Sequence, residues 1–121
     1  MNNRGKSAEI QAAKFLRKSG YKIIDVNYHS RFGEIDIIAC DNEYVVFVEV
    51  KMRKSGAVVG GSEAVDFSKQ RKIALTAQKF LVNFDEDLQP RFDVIEMYHD
   101  SKGKCIKINH IENAFDTGDI L

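Results

Sequence analysis

The sequence predicts an α/β fold in which a mixed five-stranded sheet is flanked by helices, in the order αβββαββ. Three observations support this prediction. Two segments repeat apolar residues at helical spacing, and five shorter runs are rich in Ile, Val and Phe. A long helical segment separates the third run from the fourth, which implies a right-handed crossover between parallel strands. The first three runs are joined by turns too short for a crossover, so we expect those strands to be antiparallel.

The two helices are predicted over residues 6–19 and 62–84. Gly20 suits the position just after the end of the first helix, and Ser62 suits the N-cap of the second. Both segments carry an apolar stripe along one helix face. In the first segment the stripe consists of Ala8, Ala12, Phe15 and Leu16.

The strands are predicted over residues 21–28, 34–40, 44–53, 92–98 and 105–108. Asp and Asn residues mark the turn between the second strand and the third. The third strand has apolar residues on both sides, so we expect it to lie at the centre of the sheet.

Length and composition favour one globular domain over residues 1–121, with a flexible tail over residues 116–121. The hydrophobic fraction of 44% excludes wholesale disorder, and no apolar run approaches the roughly 18–20 residues of a membrane span. The two cysteines, Cys40 and Cys105, are too few for a disulfide framework. We therefore expect a cytoplasmic protein with reduced thiols and no membrane partner.

The formal net charge of zero is unevenly distributed along the chain. Residues 1–79 carry 14 Lys and Arg against 9 Asp and Glu, whereas residues 80–121 carry 4 against 9. A basic region can bind a polyanion, but a solvated surface explains the same asymmetry equally well.

The strongest candidates for chemistry lie in the second and third strands. Glu34 and Asp36 alternate with isoleucines, so both project from one face of the second strand. In the third strand Glu49, Lys51 and Arg53 likewise share a face. Charges on a central strand are costly unless they are paired or bind a metal ion.

The length of the hairpin loop decides whether these side chains meet. A two-residue loop places Glu34 opposite Glu49. A four-residue loop places Asp36 opposite Glu49 and Glu34 opposite Lys51. Both registers gather the four side chains on one face, whereas a three-residue loop would separate them.

Three carboxylates and a lysine in one place suit metal-assisted hydrolysis. The oxygens of Glu34, Asp36 and Glu49 are ligands that Mg²⁺ or Mn²⁺ prefers. Such an ion can activate water and neutralise charge on a phosphodiester. Lys51 can orient that water or stabilise the phosphate. The alternative is that Lys51 and Arg53 neutralise the acids in a ladder of ion pairs.

The same residues carry a family resemblance. Gly33-Glu34-Ile35-Asp36, a hairpin and Glu49-Val50-Lys51 resemble the core of the PD-(D/E)xK nucleases, which include many restriction endonucleases and the archaeal Holliday-junction resolvases. The chain resembles more closely a bacterial family of predicted endonucleases, the YraN-like proteins. That resemblance covers nearly the whole chain, through the opening helix with Glu9, Gly33-Glu34-Ile35-Asp36, Val48-Glu49-Val50-Lys51, Arg91-Phe92-Asp93-Val94 and Asn113-Ala114-Phe115.

The resemblance implies a restriction-endonuclease-like, three-layer fold and metal-dependent cleavage of nucleic-acid phosphodiesters with Mg²⁺ or Mn²⁺. Asp36 and Glu49 would be catalytic metal ligands and Lys51 the catalytic lysine. Glu9 matches the first-helix acid that completes the metal site in resolvase-like members, and the Val50 carbonyl would be a further ligand. The proline that precedes the aspartate in much of the superfamily is replaced here by isoleucine.

Further residues are candidates for supporting roles. Glu34 would hold a water molecule beside the metal or pair with Arg53. The loop over residues 54–61 could close over a substrate. The three histidines share no ligand spacing, and the match of Asp93 to the family reveals no role. The candidates for contacting the phosphate backbone are Arg31, Arg53 and Lys54 beside the motif, and Lys69, Arg71 and Lys72 in the long helix.

By analogy with the resolvases, we expect a homodimer that acts on branched or otherwise structured DNA, either alone or with a protein partner. Two other hypotheses stay open. The domain could be a non-catalytic nucleic-acid-binding or adaptor module that keeps the nuclease fold. It could also be a small interaction protein whose acids form structural ion pairs.

Overall fold

A computed structural model describes residues 3–56 and 65–116, and it confirms the predicted α/β class and the order αβββαββ. The elements are α1 (Asn3–Lys18), β1 (Lys22–Ser30), β2 (Gly33–Cys40), β3 (Tyr44–Lys54), α2 (Phe67–Leu81), β4 (Gln89–His99) and β5 (Cys105–Ile111). Within the described part of the chain, no helix is long and apolar enough to cross a membrane. Both cysteines are free thiols, Cys40 buried and Cys105 half-buried.

The five strands form one sheet in the order β1-β2-β3-β4-β5, with β3 in the centre. The pair β3–β4 is parallel and the other three pairs are antiparallel. Helix α2 provides the crossover between the parallel strands, as the sequence predicts.

Each face of the sheet is covered by one helix, which gives three layers. The cluster on the α1 side consists of Ala8, Ala12, Ala13, Leu16, Ile37, Ala39, Val46, Val48, Ile95 and Met97. The cluster on the α2 side consists of Ile35, Ile38, Val45, Phe47, Val65, Ile73, Ala77, Phe92 and Val94. Strand β3 contributes to both clusters, so it is buried on both faces as expected.

The helix ends follow local capping chemistry. Helix α1 ends before Gly20, which has a φ of 98° and lies where a left-handed residue is required. The predicted range 62–84 is too long for α2, which begins at Phe67. Asp66 is the N-cap, because its carboxylate accepts the backbone N–H of Lys69 at 2.8 Å. Ser62, the predicted cap, lies outside the described residues.

The side chain of Asp41 sets the hairpin between β2 and β3. Its carboxylate accepts the backbone N–H groups of Glu43 and Tyr44 at 2.8 and 2.7 Å. These bonds stabilise a four-residue loop, and Ile37 consequently pairs with Val48. Of the two registers that keep the acids together, the chain adopts the one from the four-residue loop.

The last two strands are longer than predicted. Strand β4 begins at Gln89, whose backbone N–H donates to the Glu43 carbonyl at 2.9 Å, and β5 runs on to Ile111. Of the predicted flexible tail, only Asp116 lies within the described residues, and it is exposed.

Asp93, to which the sequence assigns no role, anchors the start of β4 to β5. It is completely buried, and its carboxylate accepts two hydrogen bonds from Arg91 at 2.8 and 2.9 Å. His110 on β5 lies 2.7 Å away, and the backbone N–H of Asn113 donates at 3.0 Å. Burial alone would raise the pKa of Asp93, but these hydrogen bonds outweigh burial and hold the pKa below its ordinary value. Asp93 is therefore a structural anchor.

We expect Asp93→Asn to lower the free energy of unfolding by about 3 kcal/mol at pH 7, because it leaves the buried guanidinium of Arg91 without its buried counter-charge. The depressed pKa means that Asp93 stabilises the fold above about pH 4 and that this contribution fades as the pH falls further. The difference in free energy of unfolding between wild type and the variant should therefore become smaller below about pH 4. Urea denaturation measures this difference.

Glu112→Gln is the matched control for that prediction. Glu112 belongs to the same network, but its side chain is 59% exposed and lies 3.7 Å from Arg91. Its replacement should cost under about 1 kcal/mol. A similar loss in both variants would contradict the anchoring role of Asp93.

Candidate metal centre

The carboxylate of Asp36 lies where strands β2 and β3 part. Their ladder ends at the pair Ile37–Val48. One residue further, the Asp36 side chain accepts the backbone N–H of Val50 at 2.8 Å. A carboxylate thus takes the place of a backbone carbonyl in satisfying this N–H group.

The strict alternation of side chains along β2 is interrupted at Asp36. Ile35 packs in the cluster on the α2 side, whereas Ile37 packs in the cluster on the α1 side. The ladder between β1 and β2 also skips Asn27 and Asp36, and Asn27 has a φ of 57°. The sequence predicts a regular strand here, and the irregularity places the carboxylate between strands.

Glu9 reaches this opening from α1. Its carboxyl group shares a hydrogen bond with the side chain of Asp36, and the Asn27 amide donates to it at 3.1 Å. Burial raises the pKa of Glu9, and the charges of Glu34 and Glu49 raise it further. The first helix therefore brings an acid to the same place, as the family resemblance implies.

Glu49 reaches the centre from β3. It is buried, and the ammonium of Lys69 on α2 lies 2.5 Å from its carboxylate. Burial and the neighbouring charge of Glu49 raise the pKa of Asp36 to about 7. Carboxylates from three elements thus converge, and their mutual repulsion is balanced in part by Lys69.

The other motif residues lie along the same stretch of β3. Val50 packs against the cluster on the α1 side, so the adjacent Lys51 points to the opposite face, as Glu49 does. Lys51 is half-buried. As the side chains stand in residues 3–56 and 65–116, no three His, Cys, Asp or Glu groups are grouped tightly enough to hold a metal ion.

One alternative from the sequence is that Lys51 and Arg53 neutralise the neighbouring acids in a ladder of ion pairs. In the structure, Glu49 and Arg53 pair with residues outside that ladder. Glu49 pairs with Lys69 on a helix, and Arg53 pairs with Glu96 on β4 at 2.9 Å. Glu34, the other partner considered for Arg53, lies 3.4 Å from His29.

The candidate phosphate contacts divide into exposed and buried residues. The Arg53 side chain is only 5% exposed and its guanidinium is held by Glu96, so the structure does not place it on the surface. The exposed candidates are Arg31, Lys54, Lys69, Arg71 and Lys72. Of the loop predicted over residues 54–61, residues 57–61 lie outside the described part of the chain.

A cleft of about 370 Å³ adjoins the centre between the β1–β2 turn and the start of α2. Its walls include Gly33, Glu34, Asp66, Ser68, Lys69, Lys72 and Ile73. The cleft therefore offers two ammonium groups beside the converging carboxylates.

Two residues at the centre have roles that sequence reasoning missed. The sequence predicts Lys69 only as a phosphate contact, and no pattern pairs a residue of the long helix with Glu49 on β3. Asn27 gave no signal, because an Asn near the end of a predicted strand is indistinguishable from a surface residue. Both contacts depend on how the helices pack on the sheet.

Fold and site together define a three-layer α/β protein in which carboxylates from α1, β2 and β3 approach one opening in the sheet. Comparison with known proteins gives the family. The chain belongs to the Uncharacterised protein family UPF0102, whose family model matches residues 8–97. The matched range includes Glu9, Asp36, Glu49, Lys51 and Lys69.

Full-length relatives agree with this assignment. A UPF0102 protein of Alkaliphilus oremlandii is 47% identical over 114 residues, covering 92% of this chain and 96% of the relative. UPF0102 protein TTE1452 of Caldanaerobacter subterraneus is 47% identical over 113 residues, covering 92% and 93%. A UPF0102 protein of Caldicellulosiruptor saccharolyticus is 42% identical over 118 residues, covering 95% and 100%.

The raised pKa of Asp36 predicts how the stability of the metal-free protein depends on pH. A folded-state pKa of about 7, above the ordinary value of about 4, means that stability is lost as the pH rises through this interval. Asp36→Asn cannot ionise. We therefore expect the variant to gain stability relative to wild type, by at least about 1 kcal/mol, between pH 5 and pH 8.

Urea denaturation in the presence of a chelator at the two pH values measures this gain. Asp41→Asn is the control, because hydrogen bonds from Tyr44 and Glu43 hold the pKa of Asp41 below its ordinary value. Its difference from wild type should stay constant above pH 5. A constant difference for Asp36→Asn as well would contradict the raised pKa.

Proposed function

We propose that the protein is a metal-dependent endonuclease of the PD-(D/E)xK type that hydrolyses nucleic-acid phosphodiesters. The observation that carries the proposal is the convergence of Glu9, Asp36 and Glu49 at the opening between β2 and β3. Lys51 stands two residues beyond Glu49 on the same face of β3. Packing of the hydrophobic clusters does not require three acids at this point, and their crowding costs stability unless a cation is bound.

The chemistry of the donor set fits Mg²⁺ or Mn²⁺. All three side chains offer carboxylate oxygens, which these ions prefer. The ammonium of Lys69 on Glu49 indicates that the cluster attracts a cation. Glu9, Asp36 and Glu49 would hold the ion, with the Val50 carbonyl as a further ligand. When bound, it would lower the pKa of a water molecule and offset negative charge on the phosphate.

Hydrogen bonds hold the reactive side chains. The backbone N–H of Val50 donates to the Asp36 carboxylate, and the side-chain amide of Asn27 donates to that of Glu9. The ammonium of Lys51 would orient the attacking water by donating a hydrogen bond to its oxygen. It would then stabilise the negative charge that develops on the phosphate. Because β3 pairs with β4 through both Glu49 and Lys51, the spacing of these two residues is set before a substrate binds.

The exposed cations around the centre suit a phosphate backbone. Arg31, Lys54, Arg71 and Lys72 are exposed, and Lys72 lines the adjoining cleft. The overall charge of zero predicts modest affinity that falls with salt. By resemblance to the resolvases, we take the substrate to be structured DNA and the active form to be a homodimer.

Cleavage of a labelled DNA panel in Mg²⁺ or Mn²⁺ tests the function. The panel contains single strands, duplex, flap and four-way junction. We expect wild type to cleave at least one substrate, and Lys51→Ala or Asp36→Ala to lower the rate at least about 100-fold. Lys79→Ala is the matched control, since it removes an exposed lysine from the last turn of α2, away from the centre, and should retain most of the rate.

Two results would contradict the proposal. Equal cleavage by wild type, Lys51→Ala and Asp36→Ala would identify a contaminating nuclease. Absence of cleavage by folded wild type, together with metal-independent binding of the panel, would favour the non-catalytic binding module instead.

A further inference from the structure

The ion pair between Lys69 and Glu49 is asymmetric. The Glu49 side chain is 9% exposed and is fixed in the central strand, whereas that of Lys69 is 48% exposed. The backbone of Lys69 is held by the Asp66 cap at 2.8 Å. Its ammonium, at the end of four flexible methylenes, can therefore move without any movement of the helix.

Lys69 also faces more negative charge than Glu49 alone supplies. Asp36 and Glu34 attract the same ammonium. Arg53, the buried cation on β3, is held by Glu96. Lys69 is thus in a position to neutralise the converging acids.

We propose that Lys69 is a displaceable counter-cation, whose ammonium holds Glu49 while no divalent cation is bound and leaves when one binds. This inference rests on the proposed metal centre. An ammonium and a divalent cation repel each other strongly at ion-pair distance, so both cannot occupy the Glu49 carboxylate at low cost. The cation that binds must compete with Lys69.

The adjoining cleft gives the displaced ammonium a place to go. Lys69 itself lines that cleft, together with Ser68 and Lys72. Once released from Glu49, its ammonium loses its buried partner and shares the cleft with Lys72 and with the carboxylates of Glu34 and Asp66. Metal binding would therefore raise the positive potential of the cleft beside the centre.

Calorimetric titration of the metal-free protein with Mn²⁺ at low ionic strength, without nucleic acid, tests the proposal. Lys69→Met keeps most of the aliphatic stem and removes the charge. We expect its Kd for Mn²⁺ to be about fivefold lower than that of wild type, the scale of a partly exposed ion pair. Lys72→Met, one turn further along the same cleft, should stay within about twofold.

An unchanged or weaker affinity in Lys69→Met would overturn the inference. So would an equal tightening in Lys72→Met, because it would show a general effect of positive charge. Circular dichroism establishes that each variant is folded.

Asp36→Asn and Glu49→Gln separate failure of this inference from failure of the proposed function. Both variants should abolish Mn²⁺ binding. If binding survives them, the metal centre itself is wrong and the inference falls with it. If they abolish binding but Lys69→Met does not tighten it, only the counter-cation role is overturned.

Discussion

The burial of β3 on both faces is the constraint on which the rest of the structure depends. This strand fills the centre of the sheet, yet its second half carries Glu49, Lys51 and Arg53. Charges in such a position must be neutralised by neighbouring elements. Glu96 on the parallel strand β4 neutralises Arg53, and Lys69 on α2 neutralises Glu49. Two of the three charges on this strand are thus balanced by side chains of neighbouring elements.

Buried charge takes two different forms in this fold. Around Asp93 and around Glu96, cations and hydrogen-bond donors surround each carboxylate, and the depressed pKa of Asp93 shows that its charged form is stabilised. Around Asp36, carboxylates gather instead, and its pKa rises to about 7. The first arrangement stabilises the fold. The second works against stability, and crowded acids that lower stability are more typical of a functional site than of a structural one.

Periodicity in the sequence was sufficient to predict the fold class and both faces of β3, because burial imposes it directly. The hairpin register was narrowed to two alternatives, and the side chain of Asp41 decided between them. Ser62 and Asp66 are both good N-caps, so composition could not place the start of α2. Glu34, Asp36 and Glu49 were found because they alternate along strands, whereas Glu9 on α1 was found through the family resemblance. Lys69, Asn27 and the burial of Arg53 were missed, since each depends on packing between elements distant in sequence.

The proposed function requires a divalent cation at the opening between β2 and β3. Anomalous diffraction from crystals soaked in Mn²⁺ tests it most directly, because the signal locates the metal without any assumption about activity. We predict a peak about 2.2 Å from carboxylate oxygens of both Asp36 and Glu49, the length of a typical metal–oxygen bond. A Mn²⁺ peak elsewhere, or no peak at this opening at saturating Mn²⁺, would contradict it.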